Sequence, residues 1–196
     1  MPRSDFRCEM TNDEFAEIEV DADDPLESYY VPLIDENERI ESRFLESEAG
    51  WDELTQGQRF LIRFGNFDSQ VNNGGLTQFF WNSPESIFAV ADDLERLGVP
   101  ELFAPYVRAV ETLVGKKDRW LALRETWASS ADDPQWEAFR ESYGVLDLGW
   151  FDDAYFDTYG RNEQGKRARL ARGWNFALQT RLADYIRSHR DEFITG

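Results

Sequence analysis

The sequence predicts an all-α fold: a single globular helical domain that ends in a basic C-terminal helix. Three observations predict it. Apolar residues recur at steps of three and four through most of the chain, few segments alternate with period two, and Asn, Gly and Pro stand at the ends of the periodic runs. With 41% hydrophobic and 15% aromatic residues, the 196-residue chain has ample material for a core, which excludes general disorder.

Residues 1–44 read as an acidic N-terminal arm packed on the domain, and 45–196 as the helical domain itself. In the arm, Glu9, Asp13, Glu14, Glu17, Glu19, Asp21, Asp23, Asp24 and Glu27 are interspersed with Phe15, Ile18 and Val20, as in a short helix or an extended edge. Asp21 to Asp24 are spaced like the opening of a calcium loop. Leu26 stands where that loop needs a turn glycine and Pro32 where it needs its closing Glu, so no calcium site is expected. From Trp51 the pattern turns helical. Thr55-Gln56-Gly57-Gln58 reads as a capping box, and Phe60, Phe64, Phe67 and Val71 form one apolar stripe. Asn72-Asn73-Gly74-Gly75 ends that run, because Asn and Gly tolerate positive φ, and a tight turn leads into Leu76 to Trp81. Ser83 then caps a helix with Pro84 at its first position and Ile87, Val90, Ala91, Leu94 and Leu97 on its buried face; Gly98 and Pro100 stop it. Leu102 to Val114 keep helical spacing up to Gly115, with Pro105 tolerated in a first turn. Trp120, Leu121, Leu123 and Trp127 mark another helix, and Asp133-Pro134 opens a short one carrying Trp136 and Phe139. Asp147 to Tyr159 is expected to be a loop with a turn or two of helix. Lys166 to Phe193 reads as one long amphipathic helix, with Leu170, Trp174, Leu178 and Leu182 on one face and Arg167, Arg169, Arg181, Arg187 and Arg190 elsewhere.

The formal charge is −18, and it is unevenly distributed. Residues 1–160 hold 35 acids and 13 bases, whereas 161–196 hold 4 and 8. Such a field repels nucleic-acid phosphates and anionic membranes and attracts basic protein surfaces. A compact chain of this length is roughly 40 Å across, and ~40 Å of duplex DNA carries about two dozen charges, the same order as this protein. Electrostatic imitation of DNA is therefore feasible if the acids gather on one face. The competing reading is a solvated acidic surface from salt adaptation or base composition, in keeping with 18 Arg against 3 Lys.

Gln70-Val71-Asn72-Asn73-Gly74-Gly75-Leu76-Thr77-Gln78-Phe79-Phe80-Trp81-Asn82-Ser83 is the most specific local signature. Through Asn73, Gly74, Gly75, Gln78, Phe79, Phe80 and Asn82 the sequence resembles the bacterial DNA-mimic protein family, whose shared core is Asn-Gly-Gly-x-x-Gln-Phe-Phe-x-Asn. The resemblance covers residues 45–115 well and the C-terminal half in its order of helices. It implies an all-α fold and, after the family's functional prototype, an acidic homodimer that occupies the DNA-binding face of a transcriptional regulator. Read from the residues alone, Gln78 and Asn82 are four apart on one helix face. They either bond the free backbone groups of the broken helix ends or line a pocket for a small ligand or partner.

The function expected is therefore binding, in the cytoplasm, to a basic DNA-binding protein such as a transcription factor, without direct contact to nucleic acid or membrane. The carboxylates expected to stand in for phosphates are Asp13, Glu14, Glu17, Asp21, Asp23, Asp24, Glu27, Asp132, Asp133, Asp152, Asp153 and Asp157. Asp152, Asp153 and Asp157, framed by Trp150, Phe151, Tyr155, Phe156 and Tyr159, read either as a recognition patch or as solvated acids over inward-facing rings. Asp132 and Asp133 also fit as helix caps. One Cys and one His leave no zinc set, no nucleophile motif accompanies His189, and the Gly turn lacks the Lys of a phosphate loop, so neither a cofactor nor an enzymatic activity is expected. A hydrolase built on two carboxylates is the most distant alternative.

Overall fold

The helical runs are present in the computed structural model, which describes residues 6–21, 24–37, 40, 48–156, 159–161, 167–169 and 173–196. The elements are α1 (Asn12–Ala16), α2 (Pro25–Tyr30), α3 (Glu48–Trp51), α4 (Gln56–Asn82), α5 (Ile87–Leu97), α6 (Pro100–Gly115), α7 (Lys117–Ser129), α8 (Asp133–Leu146), α9 (Gly149–Tyr155), β1 (Tyr159–Arg161), β2 (Arg167–Arg169) and α10 (Trp174–Ser188). The chain forms two compact units. One comprises Met1–Asn66 with Leu178–Gly196, the other Phe67–Ala177.

In the first unit the two chain ends are joined. Cys8 N–H donates to Phe193 O at 2.7 Å and Thr195 N–H to Cys8 O at 3.0 Å, which ties the N-terminal segment alongside the C-terminal one. α1 and α2 are short helices, and a π-helical turn, Val31–Asp35, continues α2. Thr11 and Glu14 form a reciprocal capping box for α1, and Asp24 caps α2 by accepting from Glu27 N–H at 3.1 Å. The capping box at the start of α4 is also present, with Gln58 N–H on Thr55 Oγ1 at 3.2 Å and Thr55 N–H on Gln58 Oε1 at 3.0 Å. Glu192 adds its carboxylate to the same helix start, accepting from Gly57 N–H at 2.6 Å, where a negative charge meets the positive end of the helix. Phe60, Phe64, Leu182, Ile186 and Phe193 are among the buried apolar residues here.

In the second unit an aromatic core gathers around Phe67. Its ring centroid lies 5.0 Å from Phe79, 5.8 Å from Tyr106 and 5.6 Å from Tyr155, each in edge-to-face geometry. Tyr106 is buried and donates its hydroxyl to Ile87 O at 2.8 Å, which satisfies the polar end of the ring. α5 ends at Gly98 in the left-handed region (φ 72°), and α7 and α8 pack as a helical hairpin.

Three expectations need correction. Pro105 lies inside α6 and not in its first turn, because the helix already begins at Pro100; the missing N–H falls near the helix start, opposite the exposed Glu101. Val114 and Leu121 keep helical spacing but point outward, at 52% and 54% exposure, so periodicity overestimated the width of the buried stripes. The long C-terminal helix is shorter than expected. β2 pairs antiparallel with β1, Tyr159 opposite Arg169, and α10 starts only at Trp174. Lys166 and Leu170, expected in that helix, lie outside the described residues, and Gly173 stands just before its observed start.

Phe67→Ala should destabilise the protein by about 3–5 kcal/mol, the usual cost of emptying a fully buried aromatic site. Urea unfolding followed by circular dichroism measures it.

Candidate functional site

The signature lies on α4, which the sequence breaks in the middle. Gly74 leaves the helical region (φ −156°, ψ 25°) and Gly75 has φ 74° and ψ 179°, a conformation that side chains with a Cβ rarely adopt. A straight helix would hold residues 70 and 82 about 18 Å apart along its axis. Here Asn82 Nδ2 donates to Gln70 Oε1 at 2.7 Å, so the second limb folds back on the first. Gln78 Nε2 donates to the same oxygen at 3.0 Å. Asn72 closes the first limb, donating to Asp68 O at 2.8 Å and Asp68 Oδ2 at 2.7 Å.

Gln78 and Asn82 thus bond a side chain of the other limb, where backbone groups of the helix ends had been one expectation. Those backbone groups are satisfied from farther along the chain. Asp152, on α9, accepts Leu76 N–H at 2.8 Å and so caps the second limb; Tyr143, on α8, donates to Gly74 O at 2.8 Å. A Cβ on Gly75 would come within 2.2 Å of Asp152 Oδ2, so the left-handed φ and the close carboxylate both demand glycine there. Burial pushes the Asp152 carboxyl above the usual carboxylate range; the Leu76 hydrogen bond opposes that rise, and the neighbouring Asp153 charge adds to it. Tyr155 hydroxyl bonds Asp68, which ties α9 to the first limb as well. Phe79 and Phe80 are wholly buried, Asn73 is exposed, and Gly74 is half-buried.

The acidic residues divide into kinds. Asp13, Glu14, Glu17, Asp21, Asp24 and Glu27 are exposed in the first unit, and Asp132, Asp133 and Asp153 in the second. The Thr11 hydrogen bonds hold the Glu14 carboxyl below its ordinary value, which keeps it ionised. Asp23 and Asp157 lie outside the described residues. Asp152 is turned inward as a cap. The aromatics around it follow the inward reading: Phe151 and Tyr155 are buried, and Trp150 is covered by the Arg108 guanidinium at 4.4 Å from its ring centroid. Asp132 sits at the start of α8 without a capping bond from its side chain, in an unusual backbone conformation (φ 57°, ψ −133°).

The sequence profile of the family described as DMP19-like protein matches residues 52–189. The chain belongs to this family, the DNA-mimic protein family. Comparison with curated proteins and with solved structures found no match. The family match covers α4 through α10, and so includes Asp152 and Tyr143 as well as the Asn-Gly-Gly turn of this DMP19-like chain. Sequence reasoning missed the roles of Asp152, Tyr143 and Asp68. Asp152 and Tyr143 are about 70 residues or more from the turn, and no local pattern links them to it. Gln70 lies inside the signature, and its spacing to Gln78 and Asn82 points to contact only once the helix is known to fold back.

Among the described residues no group of three or more His, Cys, Asp or Glu converges as for a metal ion, and no helix is long and apolar enough to cross a membrane.

Asp152→Ala should cost about 1–2 kcal/mol through loss of the cap, whereas Asp152→Asn keeps an acceptor for Leu76 N–H and should lie close to wild type or above it at neutral pH. The sign follows from the raised folded pKa: the native state binds more protons than the unfolded state, so the Asp152 contribution is lost as pH rises from the unfolded-chain value of 3.8 through the folded pKa. The advantage of Asp152→Asn over wild type should therefore grow from acid to neutral pH, as read from denaturant midpoints at both.

Proposed function

We propose that this protein acts by binding and not by catalysis: its exposed carboxylates occupy the basic DNA-binding surface of a regulator or other DNA-binding protein and so block or modulate it. The observation that carries the reading is the way charge is distributed among contacts in a member of the DNA-mimic family. Arg63, Arg108, Arg124 and Arg187 lie over the rings of Trp51, Trp150, Trp81 with Trp120, and Tyr29. Arg59 and Arg7 donate to main-chain carbonyls. Among the described residues Asp13, Glu17, Glu27, Asp133 and Asp153 are exposed and stand in no ion pair. Arg119 pairs with Glu141 and Arg187 also with Asp184, so these cations are engaged within the chain while Asp13, Glu17, Glu27, Asp133 and Asp153 stay open to a partner's cations. Asp13 and Glu17 are one helical turn apart, about 6 Å along the axis, so α1 and its C-terminal cap residue carry two charges at that spacing. A dimer, as the family resemblance implies, would double the number presented.

A pocket around the Asn-Gly-Gly turn is the weaker reading. Gln78 and Asn82 already meet on Gln70, and that use of both amides supports an architectural role. A two-carboxylate hydrolase is weaker still, since the carboxyl raised by burial, Asp152, serves as a helix cap.

In the test, DNA-binding proteins from the same genome are bound to a fluorescein-labelled duplex and titrated with this protein. Displacement of the duplex from at least one of them at low salt is expected. Its affinity should fall at least tenfold between about 50 and 500 mM monovalent salt, as the screening length shrinks from about 13 to 4 Å. Displacement from none, or displacement insensitive to salt, rejects the reading. The double variant Asp13→Asn with Glu17→Gln, which leaves the Glu14 capping bonds to Thr11 in place, should slow association without lowering the melting temperature.

A further inference from the structure

We propose that the exposed tryptophan at the start of α8, Trp136, is the contact point for an arginine of the basic partner, with the guanidinium over the indole and the Asp132 and Asp133 carboxylates beside it. This deepens the binding role proposed above and rests on it. Trp136 is 54% exposed although it ends a packed series of rings: Trp81 meets Trp127 at 5.8 Å, and Trp127 meets Trp136 at 5.4 Å with the planes perpendicular. Phe139 supports it from the next turn at 6.2 Å. An indole fixed in this way loses little conformational freedom on binding, which is what a contact anchor needs.

The chain itself shows what such rings take. Trp51, Trp81, Trp120 and Trp150 each carry an arginine guanidinium 4.4 to 5.6 Å from a ring centroid, whereas Trp136 carries none among the described residues. Its surroundings favour a cation. Trp136 N–H bonds Asp132 O at 3.3 Å, so Asp132 and Asp133 belong to the same helical turn, and Glu137 adds a third carboxylate. Arg140, one turn along, is the opposing charge on that face, and the balance stays negative. An apolar partner would have to desolvate these carboxylates without replacing their water, and a nucleic-acid base stacked on the indole would bring its phosphate toward them. Arginine answers both requirements, since its planar group stacks on a ring and bonds carboxylates in the same plane.

The test uses fluorescein-labelled nona-arginine and nona-lysine, equal in charge, with anisotropy read at about 50 mM salt. Wild type should bind the arginine peptide about threefold or more tighter than the lysine peptide, within the range known for cation–π contacts. Trp136→Leu keeps apolar bulk and should bring that ratio close to one, Trp136→Phe should retain part of it, and Asp132→Asn with Asp133→Asn should weaken both peptides alike. Thermal melts confirm that each variant folds. A ratio near one in wild type, or one unchanged in Trp136→Leu, overturns the inference and leaves the mimicry reading standing. Binding of neither peptide rejects both. Trp136-dependent binding of a labelled oligothymidine would assign the site to single-stranded nucleic acid and overturn the inference as well.

Discussion

The Asp152 carboxylate on Leu76 N–H is the contact that lets a broken helix stand inside the second unit. A helix that breaks in the middle exposes unpaired amides and carbonyls at the break, and burying them costs about 1–3 kcal/mol for each group left unsatisfied. Gly74 and Gly75 make the break sterically possible, but they supply no hydrogen bonds. Asp152 and Tyr143 supply them, from two helices distant in sequence, and Gln70 holds the folded-back limb through Gln78 and Asn82. With the break satisfied, Phe79 and Phe80 reach the core around Phe67 and Tyr106. The carboxyl is half-buried and its pKa is raised, so the fold tolerates a costly charge there in exchange for the cap.

That arrangement separates two uses of the same residue type. Carboxylates at Asp24, Glu14, Asp152 and Glu192 accept from backbone amides at helix starts or breaks and belong to the architecture. Asp13, Glu17, Glu27, Asp133 and Asp153 are exposed without such a bond, and these carry the functional reading. The cations divide in the opposite sense. Several arginines rest on aromatic faces, where a weakly hydrated planar cation gains from the ring quadrupole and from area covered, so a protein with few lysines can hold its bases close and leave its acids open.

Much of the fold was legible because its signals are local. The Thr55–Gln58 capping box, the stripe of Phe60, Phe64, Phe67 and Val71, the break at Gly74–Gly75 and the stop at Gly98 each depend on residues within a turn or two, and each stands in the structure. The failures share a cause. Val114, Leu121 and Trp136 have core-like chemistry and spacing, yet nothing in a helical period says how much of the stripe a neighbouring helix will cover. The Arg167–Arg169 strand was read as helix because the apolar steps on either side lent it a period it does not itself carry.

By itself the sequence determined the helical class, the places where helices start and break, the excess of acids and membership of a family recognisable from one short motif. Those properties reside in backbone preference, residue spacing and charge, all of them local or additive along the chain. Only the tertiary structure decided which acids serve the fold and which face solvent, that Gln78 and Asn82 meet on Gln70, and that Asp152 is a cap. Each of those outcomes depends on which distant side chain arrives at an unpaired backbone group, and that is a matter of packing in three dimensions.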